Sequence, residues 1–363
     1  MKTIFKIFLL TLTSFNSFSQ EIKIPELNWG TRVIANDESI VVSGISFKNN
    51  RTEKFASLIC YDLELNKIWQ LTLDSKQTNS VDTITFWENK IIISGTEGKE
   101  DNQSVKKTRF IKIISSDGKN LAEINIGNST SKSTDFIIQK NTLFLGYKKS
   151  SSINYGDMMK TSMNTIVEVN LTNLKYKIYE HYLNRSTPEF IFASNKNIFI
   201  CGEQFKNDDY NVTQTFFQNI KNTKPIDNLL PADKMESLGS GITTKNGFIL
   251  VSSSNIYEKK AYEYLRIDAL NFKGKLRETK IIPFKELGWL DRTPDFLNIE
   301  NKLWFRVKKE DKKTYLVQLN SSGKEISARE FKGDRRGILT MNSESIIHLW
   351  DKEETVRLKK YNR

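Results

Sequence analysis

The chain has 363 residues, 38% of them hydrophobic and 27% charged, with a formal net charge of +12. That length supports a large buried core, while no segment beyond the first twenty residues approaches the roughly eighteen consecutive apolar residues of a membrane-spanning helix. Two cysteines and two histidines are too few and too scattered for a zinc cluster or a disulfide framework.

Residues 1–19 read as a secretory signal peptide. Lys2 supplies the positive start, Ile4 to Leu12 form an apolar run broken only by Lys6, and Ser17 and Ser19 give the small-x-small cleavage pattern ahead of Gln20. The apolar run is too short to span a bilayer, and no cysteine stands nearby for a lipoprotein anchor. Residues 20–363 are therefore expected to be a single exported domain, periplasmic or extracellular. The lysine-rich loops read mainly as a solvated surface, with a surface for acidic polymers as the sharper alternative. Nucleic acid is a poor partner for an exported chain without a recognised module.

Glu21 to Asn28 is a strand-like piece with no unit of its own. After it, one pattern recurs about every fifty residues. Its first four copies are Ile40-Val41-Val42-Ser43-Gly44, Ile91-Ile92-Ile93-Ser94-Gly95, Leu143-Phe144-Leu145-Gly146 and Ile198-Phe199-Ile200-Cys201-Gly202. Phe248 to Ser252, Leu303 to Val307 and Ile346 to Trp350 continue it without the glycine. Apolar runs of this length between turn residues read as buried strands. A shorter strand precedes each run, and an alternating strand, a tight turn and an outer strand follow. Asn66, Gly118, Asn173, Gly274 and Gly323 are assigned to the turns because they tolerate positive φ.

Each unit is thus four antiparallel strands, the size of a propeller blade, and the fold is predicted as an all-β, seven-bladed β-propeller. The seventh unit, ending in Thr355 to Tyr361, lacks its outermost strand. Pairing it with Glu21 to Asn28 closes the ring and leaves no open sheet edge. Asn211 to Pro231, in blade four, is a poor copy. Cys60 falls on the third strand of blade one and Cys201 on the second strand of blade four. Those blades lie far beyond the roughly 7 Å reach of a disulfide, so both thiols are predicted free.

Carboxylates recur at the start of five innermost strands: Asp82, Asp135, Glu189, Glu236 and Asp295. Arg32 takes the place in blade one, and Gly337, preceded by Arg335 and Arg336, in blade seven. These positions are expected to surround one mouth of the central channel as an acidic ring broken by an arginine sector. Two accounts fit. Each carboxylate accepts backbone N–H groups of the neighbouring blade, or the ring binds a cation, a basic peptide or a polyol. The loop from Lys148 to Ser162 carries Ile153, Tyr155, Met158 and Met159, which either pack over the blade edge or form a partner surface. His348 occupies a core strand slot and His181 an outer strand. No nucleophile elbow, P-loop, calcium loop or cofactor motif is present, and no metal is expected.

The stretch Tyr61-Asp62-Leu63-Glu64-Leu65-Asn66-Lys67-Ile68-Trp69 resembles the quinoprotein-type propeller repeat, in which an Asp precedes a Gly-Lys turn and a docking Trp. Ser116-Asp117-Gly118-Lys119 and Ser322-Gly323-Lys324 echo it. Asp62 and Trp69 stand one residue closer than in that repeat, and the resemblance implies the fold without a quinone cofactor. The leader ending in Ser-Gln and the Lys- and Asn-rich composition resemble exported propellers of Bacteroidetes-type bacteria. With blade seven ending the chain there is no room for a C-terminal secretion domain, which favours the periplasm. The expected function is a non-catalytic binding or scaffold protein of the bacterial cell envelope, a monomer that takes an unknown protein or carbohydrate partner at the channel mouth. The alternative is a carbohydrate-active enzyme, a polysaccharide lyase or hydrolase. In that case Arg32, Arg335 and a nearby Tyr or carboxylate would supply the neutraliser and the base.

Overall fold

The computed structural model describes residues 19–362 apart from 49–52, 74–77, 101–104, 129–132, 151–161, 183–185, 195–196, 206–212, 221–228, 231–235, 255–263, 291–293, 300, 334–336 and 353–354. The leader, most of the loop from Lys148 to Ser162, and Arg335 and Arg336 lie outside the described residues. Strand β1 (Gln20–Ile24) precedes the first blade. Blade 1 is β2 (Trp29–Ala35), β3 (Ile40–Lys48), β4 (Glu53–Tyr61) and β5 (Lys67–Thr72). Blade 2 is β6 (Asn79–Trp87), β7 (Lys90–Glu100), β8 (Val105–Ser115) and β9 (Asn120–Asn128). Blade 3 is β10 (Ile137–Gln139), β11 (Thr142–Ser150), β12 (Ser162–Asn170) and β13 (Tyr176–Tyr182). Blade 4 is β14 (Ser186–Ala193), β15 (Ile198–Phe205), β16 (Thr213–Asn219) and the two-residue β17 (Leu229–Leu230). Blade 5 is β18 (Glu236–Thr244), β19 (Gly247–Ser254), β20 (Tyr264–Leu270) and β21 (Leu276–Pro283), with a 3-10 turn at Phe284–Leu287 after it. Blade 6 is β22 (Asp295–Ile299), β23 (Lys302–Lys308), β24 (Thr314–Leu319) and β25 (Glu325–Glu330). Blade 7 is β26 (Ile338–Met341), β27 (Ser345–Lys352) and β28 (Thr355–Asn362), completed by β1.

Seven four-stranded antiparallel sheets result, the seventh in the order β1-β28-β27-β26. The closing ladder runs from Gln20↔Lys360 to Ile24↔Val356. Arg357 holds Glu21 across it at 2.8 Å, and Ile24 is fully buried. A sheet of this size cannot cover both of its apolar faces alone, so each blade buries them against its two neighbours. The described core divides accordingly into seven clusters, one at each junction between adjacent blades, including blades 7 and 1. The second strands lie inside two such junctions at once, which is why Ile40 to Val42 and Ile91 to Ile93 are apolar without alternation.

Five turns between third and fourth strands share one design. Asp62, Ser115, Asn170, Asn271 and Asn320 open them, and each side-chain oxygen accepts backbone N–H groups across the bend, as from Lys273 at 2.8 Å and Lys275 at 3.1 Å onto Asn271. The left-handed residue falls on Gly118, Gly274 and Gly323 as predicted, but on Leu65 (φ 62°) and Leu174 (φ 60°) rather than on Asn66 and Asn173. A left-handed non-glycine residue costs about 1–2 kcal/mol. Burying Leu65 in the junction of blades 7 and 1 returns about as much, so packing overrides local preference there. Trp69 reaches the next such turn. Its Nε1 donates to the Ser116 carbonyl at 2.7 Å, and its ring covers Gly118 so closely that a Cβ there would lie 2.8 Å away.

Cys60 and Cys201 are buried and unpaired with each other. Burial pushes the Cys60 thiol up to about 11 and that of Cys201 well above its ordinary value, so neither is a thiolate at neutral pH. His348 is fully buried and stacks on Trp350 at 4.5 Å. His181 lies on β13 with Nε2 2.9 Å from the Ile220 carbonyl.

Candidate functional site at the channel mouth

Strand direction gathers the starts of all seven inner strands, and the connections between second and third strands, at one end of the ring. There the ladder between first and second strands skips a residue in four blades, leaving Thr31, Asp82, Glu189 and Gly239 without partners. Such bulges re-aim a side chain. They also explain the repeated glycine. A Cβ at Gly95 would stand 1.9 Å from the Ser80 carbonyl oxygen, one at Gly202 1.9 Å from that of Thr187, and one at Gly44 2.5 Å from that of Trp29. In blade 3, Thr134 takes the same relation to Gly146, donating its N–H to the Gly146 carbonyl at 2.8 Å and accepting the Gly146 N–H on Oγ1 at 3.0 Å. Asp135 then holds the bulge position.

This register redraws the acidic ring. Asp82, Asp135 and Glu189 are equivalent in three consecutive blades. Arg32 pairs with Ser43 and Asp295 with Arg306, one residue further along their strands. Glu236 pairs with Ser254, three residues before the bulge at Gly239, and its side chain lies outside the described set. Thr31, Gly239, Pro294 and Gly337 fill the equivalent place in the other four blades. The mouth therefore has an acidic sector rather than five matched carboxylates.

Two of the acids are held by buried arginines. Asp82 pairs with Arg109 at 2.9 Å, with Arg109 fully buried. Arg109 also donates to Ser94 Oγ at 3.2 Å and lies over the Tyr147 ring of blade 3 at 5.2 Å. Burial depresses the Arg109 pKa, and the Asp82 carboxylate works against that shift. Asp82 accepts the Ser133 N–H of blade 3 at 3.4 Å as well. Asp295 accepts from Arg306 Nε at 2.9 Å, and Arg306 Nη2 donates to the Gly337 carbonyl of blade 7 at 3.1 Å. The remaining guanidinium nitrogen, Arg306 Nη1, is buried without a hydrogen bond among the described residues.

Asp135 and Glu189 are exposed. Asp135 accepts one long hydrogen bond, from Thr83 Oγ1 at 3.4 Å, and no ion pair to it occurs among the described residues. Arg32 is half-buried, with Nη1 donating to the Thr31 carbonyl at 3.1 Å. Below the acids the channel opens into a cavity of about 420 Å³ running from Asp135 to Asn301 of blade 6. Its walls mix polar and apolar surface, with Phe136, Phe190 and Phe192 beside Gln139, Thr243 and Asn301.

The blade-to-blade amide contacts fall partly on residues outside the predicted set. Glu203 accepts the Leu238 N–H of blade 5 at 2.7 Å, and Asp351 accepts the Gly30 N–H of blade 1 at 3.0 Å. Burial raises the pKa of both carboxyls. Arg109 and Arg306 are also additions. Their signal in the sequence is a cation inside an apolar strand, which requires a buried partner. Among the described residues no group of three or more His, Cys, Asp or Glu side chains is placed to hold a metal ion.

No family model and no curated protein matches this chain. The fold is similar to the β-propeller domain of the trilobed protease from Pyrococcus furiosus, at 10% identity, 92% coverage of each chain and a TM-score of 0.54. That domain is described as having an open velcro topology, whereas here β1 pairs with β28 across the seventh blade. A chain of the mitotic checkpoint complex is similar at 8% identity, covering 100% of this chain and 98% of that one, with a TM-score of 0.54. The acylaminoacyl peptidase of Pyrococcus horikoshii matches at 9% identity and a TM-score of 0.53 over 89% of this chain and 49% of that one. At these identities the likeness establishes the propeller fold and nothing about chemistry.

Proposed function

We propose that this protein is an exported, non-catalytic binding protein of the bacterial envelope, and that its channel mouth takes a cationic group carried on an apolar body, such as a basic side chain within a peptide. The observation that carries this reading is the division among the mouth acids. Asp135 is exposed at the rim of a cavity of about 420 Å³ whose lining includes Phe136, Phe190 and Phe192, and Glu189 is exposed at the same register in the next blade, whereas Asp82 is closed off by the buried Arg109. Carboxylates on two adjacent blades at one channel opening focus a negative potential, and the cavity volume lies within the range of small-molecule sites. Export rests on the leader pattern of residues 1–19. The placement of His348 in the core and of His181 on an outer strand supports a site that binds rather than one that turns over.

The test is titration of the purified chain with a short lysine- and phenylalanine-containing peptide. Asp135→Asn/Glu189→Gln is expected to weaken binding by about tenfold, as for the loss of two partly exposed charge contacts. Unchanged affinity in that variant would remove the mouth from the proposal. Fractionation of cells expressing the tagged full chain checks the address, and recovery in the cytosol with the leader uncleaved would remove the envelope.

A further inference from the structure

On the face opposite the mouth, the cleft between blades 5 and 6 encloses about 510 Å³. Its floor is the buried apolar surface of Ile249 and Ile267. Lys245, Arg277 and Lys280 stand on its rim, with Glu278 as the one carboxylate among the lining residues. Lys280 donates to the Ser322 carbonyl at 2.6 Å and bridges the two blades. Lys245 and Arg277 have no carboxylate within ion-pair distance among the described residues. Some other surface lysines have such partners, among them Lys67 with Glu26, Lys149 with Glu180, Lys309 with Glu325 and Lys313 with Glu330.

The architecture does not impose this charge. The corresponding cleft between blades 1 and 2 is built from the same turns and strands, and there Asp37, Glu38 and Glu88 stand among the lining residues. A structural requirement repeats with the blade, whereas these two clefts carry opposite signs. The basic cleft also offers hydrogen-bonding groups beside its cations, the Asn246 amide and the Ser321 hydroxyl.

We infer that the cleft between blades 5 and 6 binds a carboxylated saccharide. Lys245 and Arg277 face the carboxylates, Arg277 with the planar fork that suits them. Asn246 and Ser321 serve the sugar hydroxyls, and the apolar floor takes the C–H face of the ring. The site lies on the other face of the ring from the channel mouth, so it goes beyond the function proposed above and does not depend on it.

The experiment is calorimetric titration of the full chain with a short oligogalacturonate. A neutral oligosaccharide of the same length and inorganic phosphate serve as comparison ligands. Binding of the oligogalacturonate is expected, weakening as salt rises because the cations are exposed. Lys245→Glu/Arg277→Glu is expected to weaken it by at least about tenfold, and Lys245→Arg/Arg277→Lys to retain it. Lys175→Glu/Lys177→Glu, just before and just inside the start of β13 in blade 3, makes the same change in net charge and is expected to bind as the natural chain does. Circular dichroism and a cooperative thermal transition establish that each variant is folded. Absence of binding overturns the inference. So does an equal loss in the blade 3 variant, which would make the attraction one of net charge. Equally tight binding of phosphate or of the neutral sugar overturns it as well, because the site would then not read a carboxylated ring.

Discussion

Replacing Arg109 with Met removes three contacts at once: the 2.9 Å pair with Asp82, the 3.2 Å hydrogen bond to Ser94 and the position over Tyr147 at 5.2 Å. Met refills most of the hydrocarbon volume, so the cavity left is small and the charge decides the outcome. Asp82, with its side chain 9% exposed, keeps the Ser133 amide at 3.4 Å as its one hydrogen bond among the described residues. Breaking one side of a buried pair costs about 3–5 kcal/mol, against about 5–15 kcal/mol for a whole domain. We expect a loss of about 4 kcal/mol at neutral pH, read as a shift in the urea midpoint at constant slope. Adding Asp82→Asn removes the orphaned charge and is expected to restore about half of it, the buried amide still lacking partners. A single-variant loss below about 1 kcal/mol, or an equal loss with Asp82→Asn added, would refute the assignment of Asp82 to structure.

Gly95→Ala tests the bulge account of the repeated glycine. Its Cβ would stand 1.9 Å from a backbone carbonyl oxygen, and the inner strand must move, at about 3 kcal/mol. Gly127→Ala, at φ 93° with nothing within 4 Å, is expected to cost about 1 kcal/mol. Equal urea midpoints for the two would contradict the account. Burial raises the Glu203 carboxyl above 4.5, so the folded state holds its proton more tightly than the unfolded one. The stability tied to that proton is fully present below the unfolded value and is lost as pH rises through the folded one. Glu203→Gln keeps an acceptor for the Leu238 amide and has no proton to lose. Its stability relative to the natural chain should rise as pH climbs past the ordinary glutamate value of 4.5, and a flat difference in midpoint would show that the carboxyl is not desolvated.

The blade count, the strand order within each blade and the closure by the first strand are all legible in residues 20–363. The apolar runs repeat because every second strand is covered on both sides, and the hairpin turns announce themselves with Asn, Asp and Gly. The free cysteines follow from the same map. The mouth was less legible. Spacing from the apolar run suggested five matched carboxylates, but a bulge inserts one residue into an inner strand without any mark of its own. Asp82, Asp135 and Glu189 share a register that Glu236 and Asp295 do not.

Leu65 and Leu174 show the same limit at the turns. Their left-handed conformations run against local preference and are held by packing from outside the hairpin. The arginines that divide the acids come from different strands, Arg109 from β8 and Arg306 from β23, and no local pattern ties either to its partner. The repeat by itself determined the ring, because a recurring need to bury both faces of a sheet leaves a periodic trace in the chain. Which carboxylate is closed off by an arginine, as Asp82 is by Arg109, was decided only in the tertiary structure, because burial and pairing depend on residues that folding brings together from distant strands.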